Sequence, residues 1–252
     1  MSRTILLTGA TGKIGLALVR HFLERGDRVV AVGRSKTSMQ NLLSMGGPET
    51  GNLVFVETDL MKKKSVEKLV LQLKKRKIYP DGCIHSARNM AYLHLKKDGS
   101  PGEQKFANEF KLGVMIPYEL TMALARQKGS RLKSVVNVGS MYGAVAPHLS
   151  LYKKPLRESP IHYGVVKAAL AQLTRELAVR LAGRGIRVNC AAFGGVEGRV
   201  DRKFARRYAA LTPSGRMLSE KEIPGPIDML LSEAASGVTG HVLMVDGGWT
   251  AW

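Results

Sequence analysis

The stretch "TILLTGATGKIGLALVRHFLERGDRVVAVG", residues 4–33, restricts the fold more than any other part of the chain. A short β-branched run passes through a glycine-rich loop into an amphipathic segment, and a second β-branched run follows at once. "TILLT" (4–8) reads as a strand, "IGLALVRHFLERG" as a helix stopped at Gly26, and "RVVAVG" (28–33) as the next strand. Two strands separated by one helix have the length of a parallel crossover unit.

The same alternation continues to the end. Strand runs are predicted at "NLVFVET" (52–58), "GCIHSA" (82–87), "LKSVVNVGS" (132–140), "IRVNCAAF" (186–193) and "HVLMVDG" (241–247). Helical patterns fill 38–46, the basic segment 62–77, "EFKLGVMIPYELTMALARQ" and "VVKAALAQLTRELAVRLAGRG". Seven strands alternating with helices predict an α/β, doubly wound, mostly parallel seven-stranded sheet with helices on both faces. No repeat or low-complexity linker interrupts the 252 residues, so one domain over 1–252 is expected. Irregular stretches at 88–104, 143–161 and 194–226 each follow a predicted strand. Ligands bind beyond the carboxyl ends of strands in such sheets.

The glycine loop "TGATGKIG" (8–15) suggests what is gripped there. Gly9 allows a tight turn, Gly12 a close backbone approach, and Gly15 close packing of helix on strand. The helix N-terminus then presents free N–H groups to a pyrophosphate. No Gly-Lys-Ser/Thr closes the loop, so it is not a P-loop. The second strand ends "VGRSK" without an acidic residue, and Arg34 with Ser35 and Lys36 can neutralise a ribose 2′-phosphate. That chemistry favours NADP(H) over NAD(H). Asp59 in "TDL" could accept a hydrogen bond from an adenine amino group or simply cap a helix, and both readings stand.

In "IHYGVVKAAL" (161–170) Tyr163 and Lys167 stand four residues apart and share a helix face. A cation near a phenol stabilises the phenolate and suits it to proton transfer. Spacing alone does not separate that pair from an ordinary helix surface.

Taken together, the glycine loop, the strand ending "VNVGSMYG", the downstream "YGVVK" and the late "VDGG" resemble the short-chain dehydrogenase/reductase family over essentially the whole chain. The resemblance implies a Rossmann-type fold, a nicotinamide cofactor, and Ser140, Tyr163 and Lys167 as the catalytic group. In that reading Tyr163 exchanges a proton with substrate, Lys167 lowers its pKa and holds the nicotinamide ribose, and Ser140 orients the substrate oxygen. The implied cofactor contacts are Gly9, Thr11, Gly12, Lys13, Ile14, Gly15, Arg34, Ser35, Asp59, Leu60, Ala87, Arg88, Tyr163, Lys167, Gly194 and Val196.

The chain departs from the family at several points. Lys13 replaces a loop glycine, and "HSAR" (85–88) replaces Asn-Asn-Ala-Gly, so that Arg88 either reaches an anionic group or points to solvent. The family's helix asparagine, part of a proton relay, is matched by Phe110 or Lys111, while Asn108 lies about 200° away around the helix. Ser150 would restore the usual serine-to-tyrosine spacing, but Ser140 ends a strand directly before Gly143. Tyr142, Tyr152 and His162 are second-tier candidates.

"HSARN", "SMYGAVAP", "FGGVEGRV" and "VDGGWTAW" are similar to a bacterial subgroup comprising flagellin modification protein A and oxidoreductases of nonulosonic (sialic-acid-like) sugar biosynthesis. That similarity implies a sugar-like small-molecule substrate, phosphorylated or nucleotide-linked, covered by a loop region at about 194–226.

Composition bears on the remaining classes. The net charge of +19 admits a nucleic-acid partner. However, no aromatic-basic interleaving or zinc pattern accompanies it, and none is expected to bind. The cluster at 62–77 carries Val66, Leu69, Val70 and Leu73 at helical spacing and reads as a helix with a wet basic face. Arg199, Arg202, Lys203, Arg206 and Arg207 bind a substrate anion or form another wet face, and both readings stand. Two cysteines in apolar runs, no membrane-spanning run and no signal cleavage region make a cytoplasmic location the expectation. Six scattered histidines without ligand spacing suggest no catalytic metal. The family resemblance further implies a homodimer or homotetramer through the Tyr163 helix and the last strand, with Trp249 and Trp252 available to it.

Overall fold

A computed structural model describes residues 2–34, 51–198 and 200–252. Ser35, Lys36, the helical pattern at 38–46 and Arg199 lie outside the described residues. The strands are β1 (Thr4–Thr8), β2 (Arg28–Gly33), β3 (Leu53–Glu57), β4 (Gly82–His85), β5 (Ser134–Ser140), β6 (Arg187–Phe193) and β7 (Val242–Val245). They form one seven-stranded sheet in the order β3-β2-β1-β4-β5-β6-β7. Every pairing is parallel, from Ile5 beside Val29 to Phe193 beside Val245. The order reverses direction between β1 and β4, which is where a doubly wound sheet opens a crevice.

The principal helices are α1 (Lys13–Glu24), α2 (Ser65–Lys75), α3 (Glu103–Phe110), α4 (Ile116–Arg126), α5 (Ile161–Leu181), α6 (Arg202–Ala210) and α7 (Pro224–Leu231). Gly26, at φ +77°, ends the turn after α1 in a conformation that favours glycine. Side chains alternate across β1: Leu6 joins α2, α4 and α5 on one face, through Leu69, Leu120 and Leu177. Ile5 and Leu7 join α1 and α7 on the other, through Leu18, Phe22 and Ile227. Each such fully buried side chain contributes about 1.5–3 kcal/mol. A third, smaller cluster of Met141, Leu151, Tyr208, Met217 and Trp249 lies over the carboxyl ends of β5–β7.

One helix differs from its expected form. The pattern at 109–127 is not a single α-helix: α3 begins at Glu103, and a turn of π-helix, Lys111–Met115, separates it from α4. Gly113 occupies that turn because a Cβ there would lie 2.5 Å from Val166 Cγ1 on α5. Among the described residues, no helix is long and apolar enough to cross a membrane.

Candidate active site

A cleft of about 530 Å³ runs along the carboxyl ends of the strands. At one end lies the glycine loop. Gly9 adopts φ +71°, and a Cβ there would sit 2.6 Å from Ser86 O. At Gly15 a Cβ would sit 2.2 Å from Gly9 O. A Cβ at Gly12 meets only Gly9 O, at 3.4 Å, so this glycine faces the open cleft. Thr11, Lys13, Ile14, Arg34, Asp59, Leu60 and Ala87 line the same end. This backbone-lined trough, with α1's N-terminus behind it, fits the diphosphate of a dinucleotide.

The helix-cap reading of Asp59 is not met. Its Oδ1 accepts from Met61 N at 3.0 Å, closing a local turn, whereas α2 starts later, after Lys64. Lys13 has a partner that the sequence did not suggest: Nζ donates to Glu197 O and pairs with Glu220 Oε1 at 3.2 Å, spanning the cleft.

At the other end α5 presents Tyr163 and Lys167 to the cleft beside Ser140, the last residue of β5. Lys167 Nζ lies 5.7 Å from the Tyr163 ring centre and donates to Val138 O at 2.8 Å. Arg88 does not simply point to solvent: its guanidinium carbon is 4.4 Å above the Tyr163 ring, within cation–π range. Burial pushes the Tyr163 phenol pKa up, but Arg88, Lys167 and the Ser140 hydroxyl more than offset it, leaving it below the usual value. Ser140 also takes Tyr142 N at 3.2 Å. Ser150 lies outside the cleft, exposed, with its hydroxyl 2.8 Å from His148 Nδ1. Gly143 admits α5 here, since a Cβ would lie 2.8 Å from Lys167 O.

The second-tier residues divide. Tyr142 and Tyr152 line the cleft with their hydroxyls 3.2 Å apart, and burial drives both phenols above the usual pKa. His162 is buried behind it, its Nε2 donating to Tyr92 O at 2.8 Å. Gly194 and Val196 line the far wall.

The anion-binding reading of the second basic cluster is not met by its described residues. Asp201 caps α6 by accepting from Phe204 N at 2.7 Å, and α6 turns Phe204 and Tyr208 toward the cleft. Arg202, Lys203 and Arg206 are exposed, and Arg207 donates to Leu151 O. An amphipathic helix with apolar residues four apart buries one stripe and leaves the charges wet. The sequence reading also missed Tyr208, whose hydroxyl accepts Gly195 N at 2.8 Å, and the buried Glu109 on α3. No spacing signal marks Glu109, because the π turn at Lys111–Met115 lies between it and the apolar face of α4. Among the described residues, no group of three or more His, Cys, Asp or Glu could hold a metal.

The chain is similar to known proteins over nearly its whole length. The family model described as enoyl-(acyl carrier protein) reductase matches residues 9–250. Galactitol 2-dehydrogenase (L-tagatose-forming) of Cereibacter sphaeroides is 30% identical over 256 residues, 98% of this chain and 94% of that protein. Post-translational flagellin modification protein A of Campylobacter coli is 27% identical, with 98% of each chain covered. Among solved structures, a short chain dehydrogenase from Leptospira borgpetersenii serovar Hardjo-bovis with bound NAD+ matches with a TM-score of 0.87. It is 26% identical, and the match covers 99% of this chain and 93% of that one.

Proposed function

The chain belongs to the short-chain dehydrogenase/reductase family of oxidoreductases, and from that membership we propose that it interconverts a hydroxyl and a ketone on a sugar-like, anionic substrate, with NADP(H) in preference to NAD(H). The observation that carries the reading is the phenol of Tyr163 in the cleft between the charges of Arg88 and Lys167, with Ser140 beside it.

When bound, the dinucleotide supplies the hydride acceptor or donor, and this chain's residues do the rest. Of the residues that line the cleft, Gly9, Gly12 and the start of α1 would hold the diphosphate, Asp59 and Leu60 would serve the adenine end, and Ala87, Gly194 and Val196 the nicotinamide end. Lys167 Nζ, with one N–H on Val138 O, keeps two N–H groups that would serve the ribose hydroxyls, while its charge acts on the phenol. In the oxidising direction the Tyr163 phenolate takes the substrate's hydroxyl proton while Ser140 donates to the substrate oxygen; in the reducing direction the phenol returns that proton to the carbonyl oxygen.

Arg34, exposed at the end of β2 and lining the cleft, supports a 2′-phosphate and so NADP(H). Arg88 supports an anionic substrate, because its planar fork over the phenol suits a carboxylate or phosphate near the reacting carbon. The names of the galactitol dehydrogenase and flagellin modification relatives support a polyol or sugar derivative. Exposed Val165 and Val179 on α5, with Met115 before α4, support pairing of two copies along these helices.

The test combines cofactor titration with a screen of polyols, sugar acids and sugar phosphates. NADPH binds more tightly than NADH, and Arg34→Ala narrows that gap. Tyr163→Phe lowers turnover by roughly 10²–10⁴-fold with dinucleotide binding intact. Turnover that survives Tyr163→Phe defeats the assignment. Binding without any turnover in the wild type would instead favour a dinucleotide-binding sensor.

A further inference from the structure

Beneath the cleft, α3 carries a carboxylate for which neither the packing nor the reaction above has a use. Glu109 is 3% exposed, and its Oε2 has no hydrogen-bond partner. An unpaired buried carboxylate is costly unless nearby charge compensates it or it keeps its proton. Arg88, just beyond β4, and Lys167, on α5, act electrostatically on the Glu109 carboxyl, and the His162 ring of α5 adds to them. Two of these, Arg88 and Lys167, are the cations that act on Tyr163. His162 is fully buried; with its Nε2 on Tyr92 O, its Nδ1 is a second interior atom without a partner.

The neighbouring positions on this helix do not reach the pair. Asn108 Oδ1 accepts from Gln104 Nε2 at 3.0 Å on the outer side. Phe110 is 36% exposed, and Lys111 Nζ donates to Met61 O at 3.1 Å. The π turn at Lys111–Met115 explains the difference. It inserts one residue into the helix and rotates everything before it by about 100° relative to α4. Counting back from α4 therefore lands on Phe110 or Lys111, whereas the group brought toward the cations is Glu109.

We propose that Glu109 is a positioning residue for the Tyr163–Lys167 pair: its carboxyl group shares Arg88 and Lys167 with the phenol, and the proton it carries or releases sets how firmly the phenolate is held. The two acids then titrate as one coupled system. Burial keeps the Glu109 carboxyl above the usual glutamate pKa even though Arg88, Lys167 and His162 draw it down. Its charge in turn opposes ionisation of Tyr163. With Glu109 neutral, the two cations act fully on the phenol. As Glu109 ionises, it draws on the same cations and the phenol holds its proton to higher pH.

The proposal rests on the assignment of Tyr163 and Lys167 above, so its test is read without turnover. The Tyr163 titration is followed by tyrosinate absorbance, each protein measured against the same protein carrying Tyr163→Phe. In Glu109→Gln, which keeps the shape and removes the charge, the midpoint falls by on the order of one pH unit. Glu109→Asp returns most of that shift, which a merely structural role would not do. A folded Glu109→Gln protein with an unmoved midpoint overturns the proposal. Should Glu109→Gln not fold, carbon NMR of the wild type decides. A glutamate carboxyl titrating above its usual range, with an inflection at the same pH in the Tyr163 ring carbon, supports the coupling, and the absence of either overturns it. Turnover surviving Tyr163→Phe would remove the functional reading and leave these spectra unchanged.

Discussion

At the glycine-loop end of the cleft the tight contacts run backbone to backbone, as where Gly15 packs on Gly9 O and Gly9 on Ser86 O. At the α5 end they run side chain to side chain: Arg88 over Tyr163, Tyr142 against Tyr152, and Tyr208 stacked on Trp249 at 4.6 Å. The difference governs what each end tolerates. A backbone contact has no side chain to give way, so one added carbon must displace a strand or a helix. A side-chain contact can relax, and it fails mainly where a buried polar atom loses its partner.

The largest effect is therefore expected at the smallest change. Gly15→Ala places a Cβ 2.2 Å from Gly9 O and 2.7 Å from Ala10 Cα. No rotamer relieves that, and a loss of at least about 3 kcal/mol in denaturant unfolding is expected. Gly12→Ala is the control, because its Cβ meets only Gly9 O at an ordinary 3.4 Å. It folds with near wild-type stability while dinucleotide binding weakens. If Gly15→Ala matched Gly12→Ala in stability, the contrast between the two ends would be wrong.

The same contrast explains what could be read from the sequence. The glycine end was legible because its constraints are local: Gly9, Gly12 and Gly15 lie within seven residues of one another and between two periodic segments. All seven strands were legible for a related reason, since a parallel sheet covered on both faces needs uninterrupted apolar runs. That Tyr163 and Lys167 share a helix face was legible because one helix turn joins them, while their role came only from the family resemblance. The partners of that pair were not. Arg88 and Glu109 reach it from β4 and α3, across 75 and 54 residues of chain, measured to Tyr163. The π turn at Lys111–Met115 shifts the register by one residue and leaves no mark in the apolar pattern. On α6 the opposite holds: charge is conspicuous in sequence and left two readings open, whereas Phe204 and Tyr208, which face the cleft, look like ordinary packing.

An intermediate effect is expected at Tyr208, which is 1% exposed. Its hydroxyl accepts Gly195 N at 2.8 Å and lies 3.7 Å from Met141 Sδ. Tyr208→Phe keeps the stack on Trp249 and removes the acceptor. Leaving that backbone N–H unpaired costs about 1–3 kcal/mol. For a chain of this size that is a fall of very roughly 2–10 °C in Tm by calorimetry. A fall well beyond that range would mean that the α5 end is as rigid as the glycine end.

The smallest effect is expected where one side chain joins the two ends. Lys13 leaves the glycine loop, crosses the cleft and meets Glu197 O and Glu220 Oε1 on the segment that leads to α7. Its pairing with Glu220 is weak as a source of stability, because the Glu220 side chain is 51% exposed and solvent screens the charge. Lys13→Met keeps most of the stem and deletes the ammonium, so global stability should fall by less than about 1 kcal/mol. The local consequence is larger than the global one. Glu197 N–H bonds to Leu218 O and Leu218 N–H to Gly195 O, a two-bond clasp that Lys13 reinforces from the other side of the cleft. Hydrogen exchange at these two amides should accelerate in Lys13→Met while the amides of β1 and β4 stay unchanged. Equal acceleration at both would show that Lys13 supports the whole glycine end, and unchanged exchange at Glu197 and Leu218 would show that the two walls of the cleft hold independently of it.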